Sequence, residues 1–248
     1  MKKKIKAFFI FLFIASMAVF VYFFIQIYRG EMFARDEYSS TYYTTDFGGY
    51  KWIILDERDG LTLLLMETIW DFYPYHNERE AITWEHSSLR QILNDEFYNS
   101  LPQPDREKVV NMLVLNQNNR WYSTRTGGGN DTEDYVFLLS SEELVTYFGD
   151  SGQLWERPRP SGDAGPARTY ISDFYNSFRV AYDSAENTSA WWLRSPGGTS
   201  ENAMNVTISG LINMYGVRVD ASDNGVRPAL WVNQPLEFFR LEKHEFIH

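Results

Sequence analysis

Four histidines, His76, His86, His244 and His248, and no cysteine limit the covalent chemistry open to this chain. Without a thiol there is no cysteine nucleophile, no thiolate metal ligand and no disulfide. A serine triad would need one of the four histidines, and none lies in a Gly-x-Ser-x-Gly setting. His86 falls in the first turn of an expected helix as a solvated residue with no second ligand at a recognisable spacing, so zinc is not indicated. No catalytic residue is assigned. The carboxylates Glu67, Asp71, Glu85 and Asp134 could meet in a cleft as the acid and base of a glycoside hydrolase, but their separation is not written in a sequence. Oxygen ligands gather beside glycine in Asp220-x-x-Asp223-Asn224-Gly225 and in Asn130-Asp131-x-Glu133-Asp134. Calcium loops look like this, yet neither stretch follows the twelve-residue helix-loop-helix pattern, and turn-forming polar residues also account for both.

Binding, rather than bond-making, is what the aromatic residues suggest. Trp121, Tyr122 and Arg125 precede Gly127-Gly128-Gly129, and Trp155 precedes Arg157-Pro158-Arg159-Pro160. Glycine- and proline-rich loops give these rings no helical or strand period by which to be buried, so each is a candidate contact for a sugar ring or a protein partner. With Tyr215, Asp220 and Asp223 they form the candidate binding set. Arg194 and Arg227 sit among apolar neighbours, Trp191, Trp192, Gly225 and Pro228 included. There a planar guanidinium serves best as a structural donor tying carbonyls and loops together.

The elements that must position these residues can be read in order. Tyr50–Leu55 and Leu61–Thr68 are rich in β-formers around Asp59-Gly60, which predicts a hairpin, with the second strand inside its sheet because it is apolar on both faces. Thr83 is expected to cap a helix that buries Leu89, Ile92, Leu93 and Phe97. A second helix is expected from about Pro104 to Leu113. A third follows the capping-box pattern Ser140-x-x-Glu143, and a fourth surrounds Ile171 to Phe178. Tyr135–Leu139 reads as a short strand. The long loops 116–134 and 149–167 are of a length that is usually functional or disordered.

Trp191-Trp192-Leu193-Arg194-Ser195-Pro196-Gly197-Gly198 and Gly225-Val226-Arg227-Pro228-Ala229-Leu230-Trp231, with Thr83-Trp84-Glu85 and Leu89-Arg90-Gln91-Ile92-Leu93-Asn94 upstream, resemble the signatures of a bacterial and phage family of uncharacterised domains. The likeness runs from about Tyr50 to Trp231 and implies no established activity. The closing Gly-x-Arg pattern is also similar to the end of C-type-lectin-like and sulfatase-modifying-factor domains. That resemblance implies an α+β fold: one compact C-type-lectin-like domain with a mixed, mainly antiparallel sheet and three to four helices. In it, the strand near Trp52 would lie beside the closing strand at 226–232. The oxidase chemistry of the sulfatase-modifying enzymes is not carried over, since it works through cysteines.

Ahead of this domain, Lys2, Lys3, Lys4 and Lys6 precede Ala7–Ile27, whose only clearly polar side chains are Ser16 and Gln26. As a helix, that run would span about 31 Å, enough to cross a bilayer with its amino terminus in the cytoplasm. A cleaved signal peptide would have a shorter apolar core. The expected organisation is a basic cytoplasmic end at 1–6, a transmembrane helix at 7–27, a stalk at 28–49 and an extracytoplasmic domain at 50–248. Beyond residue 31, 18 basic residues stand against 32 acidic ones, a surface that repels nucleic acid. The function expected from all this is non-catalytic recognition of a glycan or protein at the bacterial cell surface. The alternatives are an envelope hydrolase with a carboxylate pair or a structural subunit of an envelope complex.

Overall fold

The computed structural model describes residues 41–122, 126–156 and 169–245. Strands come first: β1 (Thr41–Phe47), β2 (Tyr50–Arg58), β3 (Leu61–Met66) and β4 (Asp71–Phe72). After a helical stretch come β5 (Met112–Val114) and β6 (Thr132–Asp134), and then β7 (Tyr170–Ile171), β8 (Ala181–Tyr182), β9 (Thr188–Ser189) and β10 (Trp191–Pro196). The chain closes with β11 (Asn202–Val206), β12 (Ile212–Arg218), β13 (Gly225–Val226), β14 (Ala229–Val232) and β15 (Glu242–Glu245).

The β2–β3 hairpin forms as its residues dictate. Asp59 and Gly60 both take positive φ, 53° and 78°, the pair of left-handed positions that a two-residue loop needs to match strand twist. Leu63, Leu64 and Leu65 are buried, and β3 lies inside a five-stranded sheet of order β14-β3-β2-β1-β15. A second sheet has six strands in the order β4-β13-β10-β11-β12-β7. The pairs β5–β6 and β8–β9 stand apart from both.

Two sheets correct the expectation of one lectin-like sheet. The closing signature does not run as a single strand: β13 belongs to the six-stranded sheet and β14 to the five-stranded one, with Arg227 and Pro228 between them. The chain passes between the same two sheets again from β3 to β4, and the two crossings run side by side. Met66 N donates to Pro228 O at 2.9 Å and Trp70 N to Val226 O at 2.9 Å. The partner of β14 is β3, so Trp52 on β2 lies one strand further away than expected. Residues 41–47, within the expected stalk, form β1 of the five-stranded sheet. Among the described residues no helix is long and apolar enough to cross a membrane. The expected span at 7–27 lies outside the described residues.

The helices are shorter than their periodicity suggested. Trp84–His86 is a separate 3-10 turn, and α1 (Ser88–Ile92) is capped by Ser87, whose hydroxyl accepts from Arg90 N, while Thr83 makes no side-chain cap. The helix continues through a π-helical segment, Leu93–Phe97, to Tyr98–Ser100, burying Leu89, Leu93 and Phe97. The expected helix at 104–113 is one turn, Gln103–Arg106, because Val109 is drawn into a bridge with Val232 and the chain then extends as β5. Tyr135–Leu139 forms no strand beyond the bridge of Phe137 with Ala229. These two bridges cover the outer edge of β14, which would otherwise present unpaired backbone. The capping box at Ser140 and Glu143 is present and starts α2 (Ser141–Phe148), with Leu144, Val145 and Phe148 buried. Around Ile171 the expected fourth helix shrinks to Asn176–Arg179, with Ile171 itself in β7.

Candidate functional site

Both signature arginines are buried, and each ties separate segments together. Arg227 Nε donates to Met66 O at 2.7 Å and Nη2 to Glu67 O at 3.1 Å, fastening one crossing between the sheets to the other. Its guanidinium lies 5.0 Å from the centre of the Trp191 ring and 6.0 Å from that of Phe148. Burial pushes Arg227 down to about 10, while the Glu67 carboxylate and Tyr42 pull the other way, so the group stays cationic at neutral pH. Arg194 Nη1 donates to Leu138 O at 2.6 Å and Nη2 to Leu115 O at 3.1 Å, and both nitrogens engage the Glu143 carboxylate. Glu143 is also the reciprocal partner of the Ser140 cap, so a single carboxylate starts α2 and docks it on β10. The rest of the first signature is spent in the same way. Trp191 Nε1 donates to Arg179 O, Trp192 Nε1 to Tyr73 O, and Ser195 Oγ accepts from Ser141 N.

The upstream signature converges on Asp134, which is 1% exposed. Arg90 Nε donates to it at 2.7 Å, Trp84 Nε1 at 2.9 Å and Thr132 Oγ1 at 2.7 Å. Asn94 binds Arg90 O and Val136 O through its amide and accepts from Tyr135 N. These residues hold the segment after loop 116–131 against α1. They leave Asp134 no free oxygen for acid–base work.

The other carboxylates have partners of their own. Glu85 bonds Asn130, which holds its carboxyl below the usual range, the wrong direction for a general acid. Asp71 Oδ1 accepts from Phe72 N at 2.8 Å. Asp220 is engaged by Arg218 at 2.9 and 2.6 Å, and Asp223 accepts from Asn224. Asp131 accepts from Asn116 N. Among the described residues no group of three or more histidines and carboxylates is placed to hold a metal ion. Two hydroxyls lie against an imidazole: Thr44 Oγ1 is 2.8 Å from His244 Nε2, and Ser88 Oγ is 2.9 Å from His76 Nδ1, with Glu80 on His76 Nε2 at 2.8 Å. His76 Nδ1 accepts from Ser88 N at 3.2 Å, so that imidazole works as a cap on the first turn of α1.

The loop residues divide. Trp121 is 5% exposed and packs inward, contrary to the reading of it as a surface contact. Its neighbours face the other way. Arg120 lies over the Trp155 ring at 5.2 Å, with Trp155 55% exposed, and Tyr122 meets the Tyr215 ring edge-on at 5.8 Å. Arg125 lies outside the described residues. What fixes this loop is Asn119, whose Nδ2 donates to Pro196 O, Gly197 O and Met214 O at 3.0, 2.9 and 3.0 Å. Its Oδ1 accepts from Trp121 N at 2.8 Å. The glycines of Pro196-Gly197-Gly198 make room for the aromatic pair: a Cβ at 197 would overlap Tyr215 O, and one at 198 would overlap the Tyr215 ring and press on Tyr122 at 3.3 Å. The signature is therefore scaffold in its arginines and seat for Tyr122 and Tyr215 in its glycines.

A family profile matches residues 59–234, from the hairpin turn to just past β14, and thus spans both sheets, the arginine clasps and the aromatic pair. The chain belongs to the DUF6273 family, a domain of unknown function. No curated protein and no solved structure matches it. Within this DUF6273 domain Arg120, Asn119, Tyr170, Asn205 and Asn213 lie outside the binding set expected from the sequence. Of these, only the three asparagines carry a sequence signal, as polar residues at strand and loop positions where a hydrophobic residue would be the ordinary choice.

Proposed function

We propose that this DUF6273 protein is a non-catalytic recognition domain, carried at the bacterial cell surface by an amino-terminal membrane span, that takes a glycan or protein ligand. The observation that supports recognition most directly is the pair of ring arrangements on one short stretch. Residues 120–122 hold exposed Trp155 by a guanidinium and Tyr215 by an edge contact, while Asn119 locks the stretch to three backbone carbonyls. Exposed rings whose positions are already fixed bind with little further loss of side-chain freedom. The membrane span and orientation rest on Ala7–Ile27 and the lysines before it.

The test uses the full chain in a detergent without a sugar head group, applied to arrays of glycans, peptidoglycan fragments and peptides. Capture is expected, and Trp155→Ala should weaken it about tenfold while leaving the melting temperature in place. Absence of capture on every array, or turnover of any arrayed compound, would count against a non-catalytic receptor. Fractionation of cells should find the protein in the membrane, with the domain open to external protease. Recovery in the soluble cytoplasmic fraction would refute the placement.

A further inference from the structure

Among the described arginines, Arg58, Arg79, Arg90, Arg179, Arg194 and Arg218 each meet a carboxylate. Arg120 does not. It is exposed, in a chain with 32 acidic residues against 18 basic ones beyond residue 31, and its guanidinium donates to no acceptor among the described residues. What it meets instead is the ring of Trp155, itself 55% exposed.

Both side chains stand on fixed backbone. Asn119, just before Arg120, takes part in four hydrogen bonds, and Trp121, just after it, is buried. Next to Trp155, Leu154 is buried and its N–H donates to Asp150, which also accepts from Gly152 N at 2.8 Å. The guanidinium carbon lies 5.2 Å from the centre of the indole ring. Atoms in full face-to-face contact would be about 3.5–4 Å apart, so the guanidinium does not cover the indole. Ring surface and N–H edges both remain open to solvent.

We propose that Arg120 and Trp155 bind a sugar that carries a carboxylate, such as a uronic or muramic acid residue of a glycan, an inference that rests on the recognition reading above. The planar N–H fork of an arginine matches the two oxygens of a carboxylate, and ring contact leaves that fork in place because it uses the face and not the edge of the guanidinium. The C–H face of a pyranose lies against an exposed indole. Held by the ring, the arginine loses little further freedom when the ligand arrives. A neutral sugar would leave the fork unused, and a basic ligand would meet a like charge. Acidic peptides and nucleic acids, with many charges, are repelled by the acidic remainder of the domain, whereas one carboxylate on an otherwise neutral ring needs only this one cation.

The experiment applies the full chain, in the same sugar-free detergent, to neutral glycans, uronic acid glycans, muramic acid glycans, the same acidic glycans with each carboxyl reduced to an alcohol, and acidic peptides. Carboxylate-bearing glycans should be captured preferentially, and the uronic and muramic arms tell the two sources apart. Reduction of the carboxyl should lower affinity about tenfold or more. Arg120→Gln should do the same for the acidic glycans while leaving their reduced forms within about threefold of wild type, and Trp155→Ala should weaken both forms. Added salt should weaken capture by the wild type and not by Arg120→Gln. Melting curves on the same samples separate lost binding from lost folding. If captured glycans bind equally with and without their carboxyl, or if Arg120→Gln binds them as the wild type does, the carboxylate assignment is wrong and the recognition reading stands. Capture of acidic peptides alone overturns the sugar assignment, and capture of nothing overturns both.

Discussion

Replacing Arg227 probes the join between the two sheets. The side chain is 2% exposed and fastens Met66 O and Glu67 O at 2.7 and 3.1 Å, with Trp191 stacked against it. Arg227→Ala strands two carbonyls and opens a cavity the size of a guanidinium. Two hydrogen bonds from a charged donor, at about 1.5–3 kcal/mol each, set the upper end. Removing a buried cation, whose Nη1 finds no partner among the described residues, offsets part of this. The net loss should be about 3–5 kcal/mol, and for a domain of this size each kcal/mol moves the melting temperature by about 2–4 °C. A fall of about 10 °C in differential scanning calorimetry is expected. Arg227→Met fills the volume without the charge and should lose about 1–3 kcal/mol, since only the carbonyls are then stranded. If Arg227→Ala melts with the wild type, the guanidinium does not hold the crossings together. If it melts normally and has lost its ligand, the binding site lies in the signature itself.

Three more outcomes follow from the geometry. Asp134→Asn removes the charge that Arg90, Trp84 and Thr132 converge on and should destabilise the domain by about 3–5 kcal/mol, measured by urea unfolding; a change below about 1 kcal/mol would show the network to be incidental. Gly198→Ala pushes a methyl into the Tyr215 ring and should weaken ligand capture more than it lowers stability, with the reverse result placing the glycine in the scaffold alone. Tyr75 donates to Arg194 O at 2.9 Å, and burial raises its pKa far above the usual tyrosine value, with the Arg194 charge opposing. The neutral phenol's contribution is thus whole below about pH 10, where the unfolded tyrosine titrates, and is lost as pH rises beyond it. Tyr75→Phe should cost about 1 kcal/mol at pH 7 and flatten the alkaline decline in stability, and an unchanged decline would exclude Tyr75 as its source.

Local rules were legible wherever the physics was local. Asp59-Gly60 made the hairpin turn because two successive positive φ values favour those residues, and Ser140 with Glu143 made the capping box because both bonds close within four residues. The helix cap expected at Thr83 falls four residues later, since Ser87 reaches Arg90 N and Thr83 does not reach a helical N–H. At 104–113 helical spacing gave way to pairing: Val109 and Val110 bond the closing strand, over 120 residues later, which no local pattern announces.

Composition and motif thus determined that this is a cysteine-free, acidic chain with a hairpin, a capped helix and two arginines whose apolar neighbours committed them to internal carbonyls. Tertiary structure decided the rest. It split the last signature between two sheets, drew Trp121 inward while leaving Trp155 out, and placed Asn205, Asn213 and Tyr170 in one row. The reason is physical. A turn or cap is satisfied by atoms a few residues away, but which face of a strand meets water, and which amide is left without a partner, depends on strands that come together from distant parts of the chain.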